Sequence, residues 1–269
     1  MSLYGLRTDE NRLTALLAKT SKVRGRTVTK VRLARSKGIR FMPMKARLNL
    51  RDPMSVNFVQ PVPERPGGPI EIDVTDNNRG ARSVMTRSRN GWKRSRVFSG
   101  GSILTSWLSP AIRAADGSLF FSRSEFSYTE GYLGRTEAHA ELIVSKIKGG
   151  ELSTVGGGPV SNGTGLAQGG IYPVSGRIWT VWQENDSEGI AFGGLFRTKV
   201  FAARVDLDGT GFDKEIPLWE GRTYFPGSTQ AIEYQGSPVF LYDRQFSPGG
   251  GLHPTVDFSH GTTPPPDPG

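Results

Sequence analysis

Cysteine is absent from the 269 residues, which excludes disulfide staples, thiolate metal ligands and a cysteine nucleophile. Histidine is scarce: His139, His253 and His260 stand at no spacing that makes them a ligand pair, so no metal site is expected. No stretch approaches the about 20 apolar residues of a membrane helix. The N-terminus lacks the basic-then-apolar run of a secretion leader, so the chain is expected either to be assembled in the cytoplasm or to be a mature form, and no membrane partner is expected. Apolar residues make up a low 36%, against 35 glycines and 18 prolines, a balance that favours short strands and turns over packed helices. Acidic residues are few in the first hundred positions, where 22 Lys and Arg face 7 Asp and Glu. Residues 101–269 hold 12 basic and 18 acidic side chains. A net charge of +15 followed by −6 implies that the basic part faces a polyanion or an acidic protein surface.

Against these absences stands an internal repeat. Residues 117–125 (GSLFFSRSE) align with 176–184 (GRIWTVWQE) and with 236–244 (GSPVFLYDR), their glycines 59 and 60 residues apart (176 − 117 and 236 − 176). A second landmark keeps step, 140–147 following the first glycine as 199–205 follows the second. Ile112, Ile171 and Ile232 precede the three glycines at similar offsets. A period of this size marks supersecondary units that bury their apolar faces against neighbours. Each unit reads as a strand, a variable loop, a second strand, a turn (148–150; 206–209) and a last strand.

The basic half reads differently. Residues 9–19 carry Leu13, Leu16 and Leu17 at helical spacing, with acids first and a lysine last, which predicts a short helix. From Thr27 to Arg35 the alternation predicts a strand with one basic face. Six prolines between 43 and 69 predict an extended stretch that buries little against its own chain. Residues 71–75 read as a strand and 76–80 as a turn. The domains expected are therefore a basic, Pro-rich anchoring arm with one short helix (1–100), a β-repeat domain (101–259) and an extended Pro-rich tail (260–269).

Residues 179–182 (WTVW), a variable loop, and 200–212 with their Asp-Gly turn resemble a blade of the β-propellers of the sialidase-like and related bacterial groups, over about residues 101–246. The chain lacks that family's Ser-x-Asp-x-Gly-x-x-Trp box. Two units and the start of a third also fall short of the four to eight blades of a closed propeller. Three arrangements stay open: the basic half supplies diverged blades, several chains complete one ring, or the strands form an open β-sandwich. The fold class expected is mainly β, with repeated four-stranded antiparallel units and an extended basic N-terminal arm.

Candidate chemistry is sparse. Glu125 and Glu184 fall at equivalent positions, and paired carboxylates are the machinery of glycoside hydrolysis; a repeated strand-end acid explains them better. Asp206, Asp208 and Asp213 frame Gly209 like a calcium loop, but Pro217 stands where the twelfth-position glutamate belongs, so a plain Asp-Gly hairpin is expected. Aromatic residues alternating in strands are core, with Trp219 and Tyr224, beside Gly and Pro, as candidate ligand contacts. Arg82, Arg87, Arg89, Lys93, Arg94 and Arg96, around Trp92, form a candidate contact to an assembly partner or a polyanion. The glycine-rich segment 155–170 lacks the Gly-Lys-Ser/Thr ending of a phosphate loop.

In construction the chain resembles virion components of tailed bacteriophages, in which an assembly-binding N-terminus precedes a β-rich domain. That resemblance implies a structural protein located in the virion, not an enzyme, without cofactor. It also implies other virion proteins as partners, a homo-oligomer (trimer or hexamer) and attachment to a host surface glycan. Two alternatives stay open beside it: a carbohydrate-binding or glycan-hydrolysing propeller, and a nucleic-acid-binding protein using residues 22–51 and 79–96.

Overall fold

A computed structural model describes residues 2–9, 12–38, 40–51, 53–63, 68–76, 81–88, 91–98, 109–130, 136–161, 165–186, 196–223, 226–246 and 253–260. Among these, strands dominate and no α-helix occurs. The first unit is one antiparallel sheet, β1 (Ser2–Asp9), β2 (Arg12–Val23), β3 (Arg26–Lys37) and β4 (Arg40–Arg51). The second starts with β5 (Pro53–Phe58); β6 (Gln60–Val62) then leaves it, and β7 (Glu71–Asp76), β8 (Ala81–Ser88) and β9 (Gly91–Phe98) complete it. The third comprises β10 (Ile112–Ala114), β11 (Leu119–Glu130), β12 (Thr136–Lys148) and β13 (Glu151–Thr154). The fourth comprises β14 (Gly165–Val174), β15 (Arg177–Asp186), β16 (Phe196–Val205) and β17 (Ile216–Thr223). These two join through the pair Ala140↔Leu166 into one nine-stranded sheet that also takes in β6. The fifth unit is β18 (Pro226–Tyr234), β19 (Ser237–Phe246) and β20 (His253–His260). The resulting four sheets form a propeller-like ring.

The repeat is a repeat of structure. Residues 119–125, 177–184 and 237–244 of the three aligned segments lie on β11, β15 and β19, with the aligned glycines in the turns before them; each is the second strand of its unit, and the next strand pairs antiparallel in every case. Val174↔Arg177 and Tyr234↔Ser237 close two-residue hairpins whose loop residues all have positive φ: Ser175 50° and Gly176 72°, Gln235 52° and Gly236 78°. That is the turn whose twist matches a β-hairpin, and its second position favours glycine. The first unit uses the same device at Arg24-Gly25, between Val23 and Arg26.

Each unit then buries a face against the next. Leu16, Val31 and Leu33 pack on Val56, Phe58 and Ile72 between the first two units. Val59, Val84, Leu119 and Phe121 join the second to the third. Phe120, Val144, Ile171 and Trp182 join the third to the fourth. Trp179 meets Phe240 edge-on at 5.3 Å between the fourth and the fifth.

Three expectations are corrected. Residues 12–19 belong to β2 and not to a helix: Leu16 points into the second unit with no exposure, while Leu13, on the other face, is 41% exposed. The basic half is not an extended arm, because its strands form two sheets sharing an apolar core, so it supplies diverged units to the ring. Finally, the proline-rich stretch buries Val56, Phe58, Val59, Val62 and Ile70. The turn expected at 76–80 and the tail at 261–269 lie outside the described residues beyond Asp76 and His260.

A Cβ at Gly176 would meet no atom within 4 Å, so the cost of Gly176→Ala is that of the left-handed backbone alone, about 1 kcal/mol. The thermal midpoint is expected to fall by about 2–4 °C. Gly176→Asn, whose residue type tolerates this region, is expected to fall by less in the same melting experiment.

Candidate functional site

Register fixes two faces of the first sheet. Residues paired with the buried Leu16 and Ala18 look toward the second unit; the alternate ones look outward. Along the outward face one rung holds Leu3, Leu17, Arg32 and Arg47, the next Lys19, Lys30 and Asn49, the next Ser21, Val28 and Arg51, and the last Val23 and Arg26. Two like-charge pairs, Lys19 with Lys30 and Arg32 with Arg47, thus stand directly opposite each other, an arrangement that destabilises a sheet. The one carboxylate within these four strands, Asp9, is in register with Arg12 at the far end. In the other direction the face turns apolar, with Leu6 beside the buried Ala15 and Ala34 in one rung and Phe41 beyond. Leu3, Leu6 and Phe41 are 58%, 48% and 44% exposed.

The candidate contact at 82–96 divides. Arg82 is corrected: it is 4% exposed, gives a bidentate fork to the buried Asp73 (Nε–Oδ1 2.8 Å), donates to the Ser109 carbonyl at 2.7 Å, and lies 4.2 Å from the Phe121 ring centre. It is therefore a structural bolt between the second and third units. Beside it Arg113 reaches back to Glu71 (Nη2–Oε1 3.0 Å), which also accepts from Thr86. Arg87 is half-buried and contacts the Met44 sulfur at 3.3 Å. Lys93 and Arg94 are exposed on β9, the latter bonded to Ser83, and Arg96 lies on the same strand. Arg89 and Tyr224 fall outside the described residues. Trp219 has a packing role, tilted against Tyr242 at 6.3 Å on the core between the fourth and fifth units.

The acids keep the equivalent places that the repeat assigns them and are not brought together as a catalytic pair. Glu125 is paired with Arg123 on the face toward the second unit. Glu184 looks toward the third and accepts from the buried Trp182 indole at 2.9 Å. The two carboxylates therefore occupy successive inter-unit spaces. A different neighbour, Glu215, feels Glu184: burial first, and then that charge, raise its pKa. The Asp-Gly segment is a turn, with Gly209 at φ 84°. Asp208 binds the Thr210 N–H and hydroxyl, which lowers its pKa. Lys146 donates to the Leu207 and Asp208 carbonyls at 3.2 and 2.8 Å, so an ammonium already sits against this loop.

What sequence reasoning missed is the pairing of cations across strands. The signal was present in Lys19, Lys30, Arg32 and Arg47, but it becomes legible only with the hairpin turn at Arg24-Gly25 as the origin of register.

No protein-family model matches the chain, and no curated protein sequence does. Among solved structures it is similar to an acylaminoacyl peptidase in complex with Z-Gly-Gly-Phe-chloromethyl ketone, with a TM-score of 0.51 and 10% identity over 97% of this chain and 38% of that one. It also matches an inulosucrase from Halalkalicoccus jeotgali bound to kestose (TM-score 0.45, 15% identity, 77% of this chain and 64% of that one). A third match is Pyrococcus horikoshii acylaminoacyl peptidase (TM-score 0.32, 8% identity, 96% and 52%). The chain spans less than two thirds of each of these proteins, and at 10% identity the likeness to the first is one of fold alone.

Truncating Arg82 strands the Asp73 carboxylate in a buried site, so Arg82→Met is expected to cost about 3–5 kcal/mol in denaturant unfolding. The double variant Arg82→Met/Asp73→Leu, which removes both charges, is expected to recover most of that loss.

Proposed function

We propose that this protein is a non-catalytic structural component of a larger assembly, and that it attaches through the outward face of β1–β4. The observation that carries the reading is a contrast between faces. Inner sheet faces meet an apolar partner in the adjoining unit, whereas the first unit exposes Leu3, Leu6 and Phe41, and the fifth exposes Ile232 (38%) and Tyr234 (56%). Exposed apolar patches of this kind mark contact surfaces. The fifth unit of one copy, laid on the first unit of the next, continues between chains the face-to-face stacking used within one. Such head-to-tail contacts build rings or filaments. Virion proteins of tailed bacteriophages are the setting this construction resembles, with other virion proteins and a host surface glycan as further partners.

Mass measurement in solution tests it. The native chain is expected above its monomer mass of 29.3 kDa. Leu6→Glu/Phe41→Glu is expected to return it to the monomer with an unchanged β circular-dichroism spectrum. A native chain that stays monomeric at every concentration overturns this reading.

A second reading, a carbohydrate-active propeller, draws on the Glu184–Glu215 pair beside Trp182, since a carboxyl with a raised pKa suits a general acid. It requires reducing-sugar release from a glycan panel that Glu184→Gln or Glu215→Gln abolishes.

A further inference from the structure

We propose that the basic end of the outward β1–β4 face binds the phosphate backbone of single-stranded nucleic acid. This rests on the reading of that face as an attachment surface and names the chemistry of one partner. Lys19, Lys30, Arg32, Arg47, Arg51 and Arg26 occupy four consecutive rungs of three adjacent strands. Rungs two residues apart advance about 7 Å and neighbouring strands lie about 5 Å apart, so the cations cover a strip about 20 Å long and about 10 Å wide. The ion pairs found among the described residues, such as Arg82–Asp73, Arg113–Glu71 and Arg204–Asp213, all lie elsewhere. No residue on these rungs is acidic.

The sheet therefore carries two opposed like-charge pairs for which the described residues supply no counterion, and an anion placed between the strands relieves both at once. Successive phosphates of an extended strand recur at a step close to that between rungs. Four of the six cations are arginine, whose N–H fork donates to two phosphate oxygens at once. On the same face Phe41 is exposed, an aromatic ring of the kind on which an unpaired base stacks, so a strand stacked there and a second copy docked there exclude each other. An acidic protein surface supplies the charge but has no need of that regular step, and a bilayer gains little from cations confined to one narrow strip.

The test uses the full chain and a fluorescently labelled single-stranded oligothymidylate. Six contacts predict a slope of log K against log salt near about −4. Lys30→Glu/Arg32→Glu sets carboxylates opposite Lys19 and Arg47, so it is expected to weaken binding at least about tenfold while leaving the melting temperature equal or higher. Loss of binding therefore cannot be ascribed to unfolding. Lys93→Glu/Arg94→Glu, on β9, is expected to leave the slope unchanged. Oligothymidylate binding that is absent, or insensitive to the Lys30/Arg32 reversal, overturns the proposal. So does preferential binding to poly-glutamate or to phosphatidylserine vesicles. Self-association that persists when oligothymidylate binding is absent leaves the attachment surface standing and removes only its nucleic-acid partner; loss of both removes both.

Discussion

A sheet of three or four strands has two faces and little thickness, so it buries apolar side chains only when another sheet covers it. This constraint orders the whole molecule. Leu16 and Leu33 are inaccessible because the second unit lies on them, and Trp182 because the third lies on it. Burial of this kind contributes about 25 cal/mol per Å² of apolar surface, and every inter-unit space is a separate source of it. Stability is then spread along the series of units, as in other repeat architectures.

The space between the second and third units departs from the rule. Among the described residues its cluster is the smallest of the four, and Asp73, Arg82, Glu71 and Arg113 fill what apolar residues fill elsewhere. Backbone links reinforce it: β6 leaves the second unit to run parallel to β10, with the Gln60 N–H donating to the Ala111 carbonyl at 3.2 Å. A buried ion pair adds little net stability over a hydrophobic substitute, but either partner alone is costly. The fork from Arg82, held at once by Asp73, Ser109 and Phe121, therefore admits one orientation of these two units. It joins the basic half of the chain to the more acidic half.

Legibility in the sequence followed the turns. Where glycine at positive φ recurs at a fixed step, as at Gly117, Gly176 and Gly236, the strands that follow could be aligned without any structure. In the first half that step is lost, and β2 was misread for a physical reason. Strand alternation shows when one face is wet, whereas here leucines line both faces, Leu16 inward and Leu13 and Leu17 outward, and together imitate helical spacing. The prolines at 53–69 suggested an unburied stretch, yet proline and burial coexist where a strand begins or crosses between sheets, as at Pro53 and at Pro61 in β6. Charge counting found the right half of the chain but not the right residues. Arg82 belongs to the interior, and that depends on Asp73 lying diagonally from it on the neighbouring strand, one same-face position from its register partner Thr75.

The same register that hides a pattern in the sequence gives the surface its meaning. Within the protein, three cations that cross between units are answered there: Arg82 by Asp73, Arg113 by Glu71, Lys146 by two carbonyls. On the outward face of β1–β4, Lys19 is set against Lys30 and Arg32 against Arg47, and the strands supply no carboxylate between them. A sheet that needed only to fold would gain from one glutamate at either pair. The exposed leucines beside them carry the same sense, since an apolar face left open also costs stability. Both costs vanish when something covers the face, and the two features meet on it, since Leu3 shares a rung with Arg32 and Arg47. Its covering must therefore bring negative charge and apolar surface together.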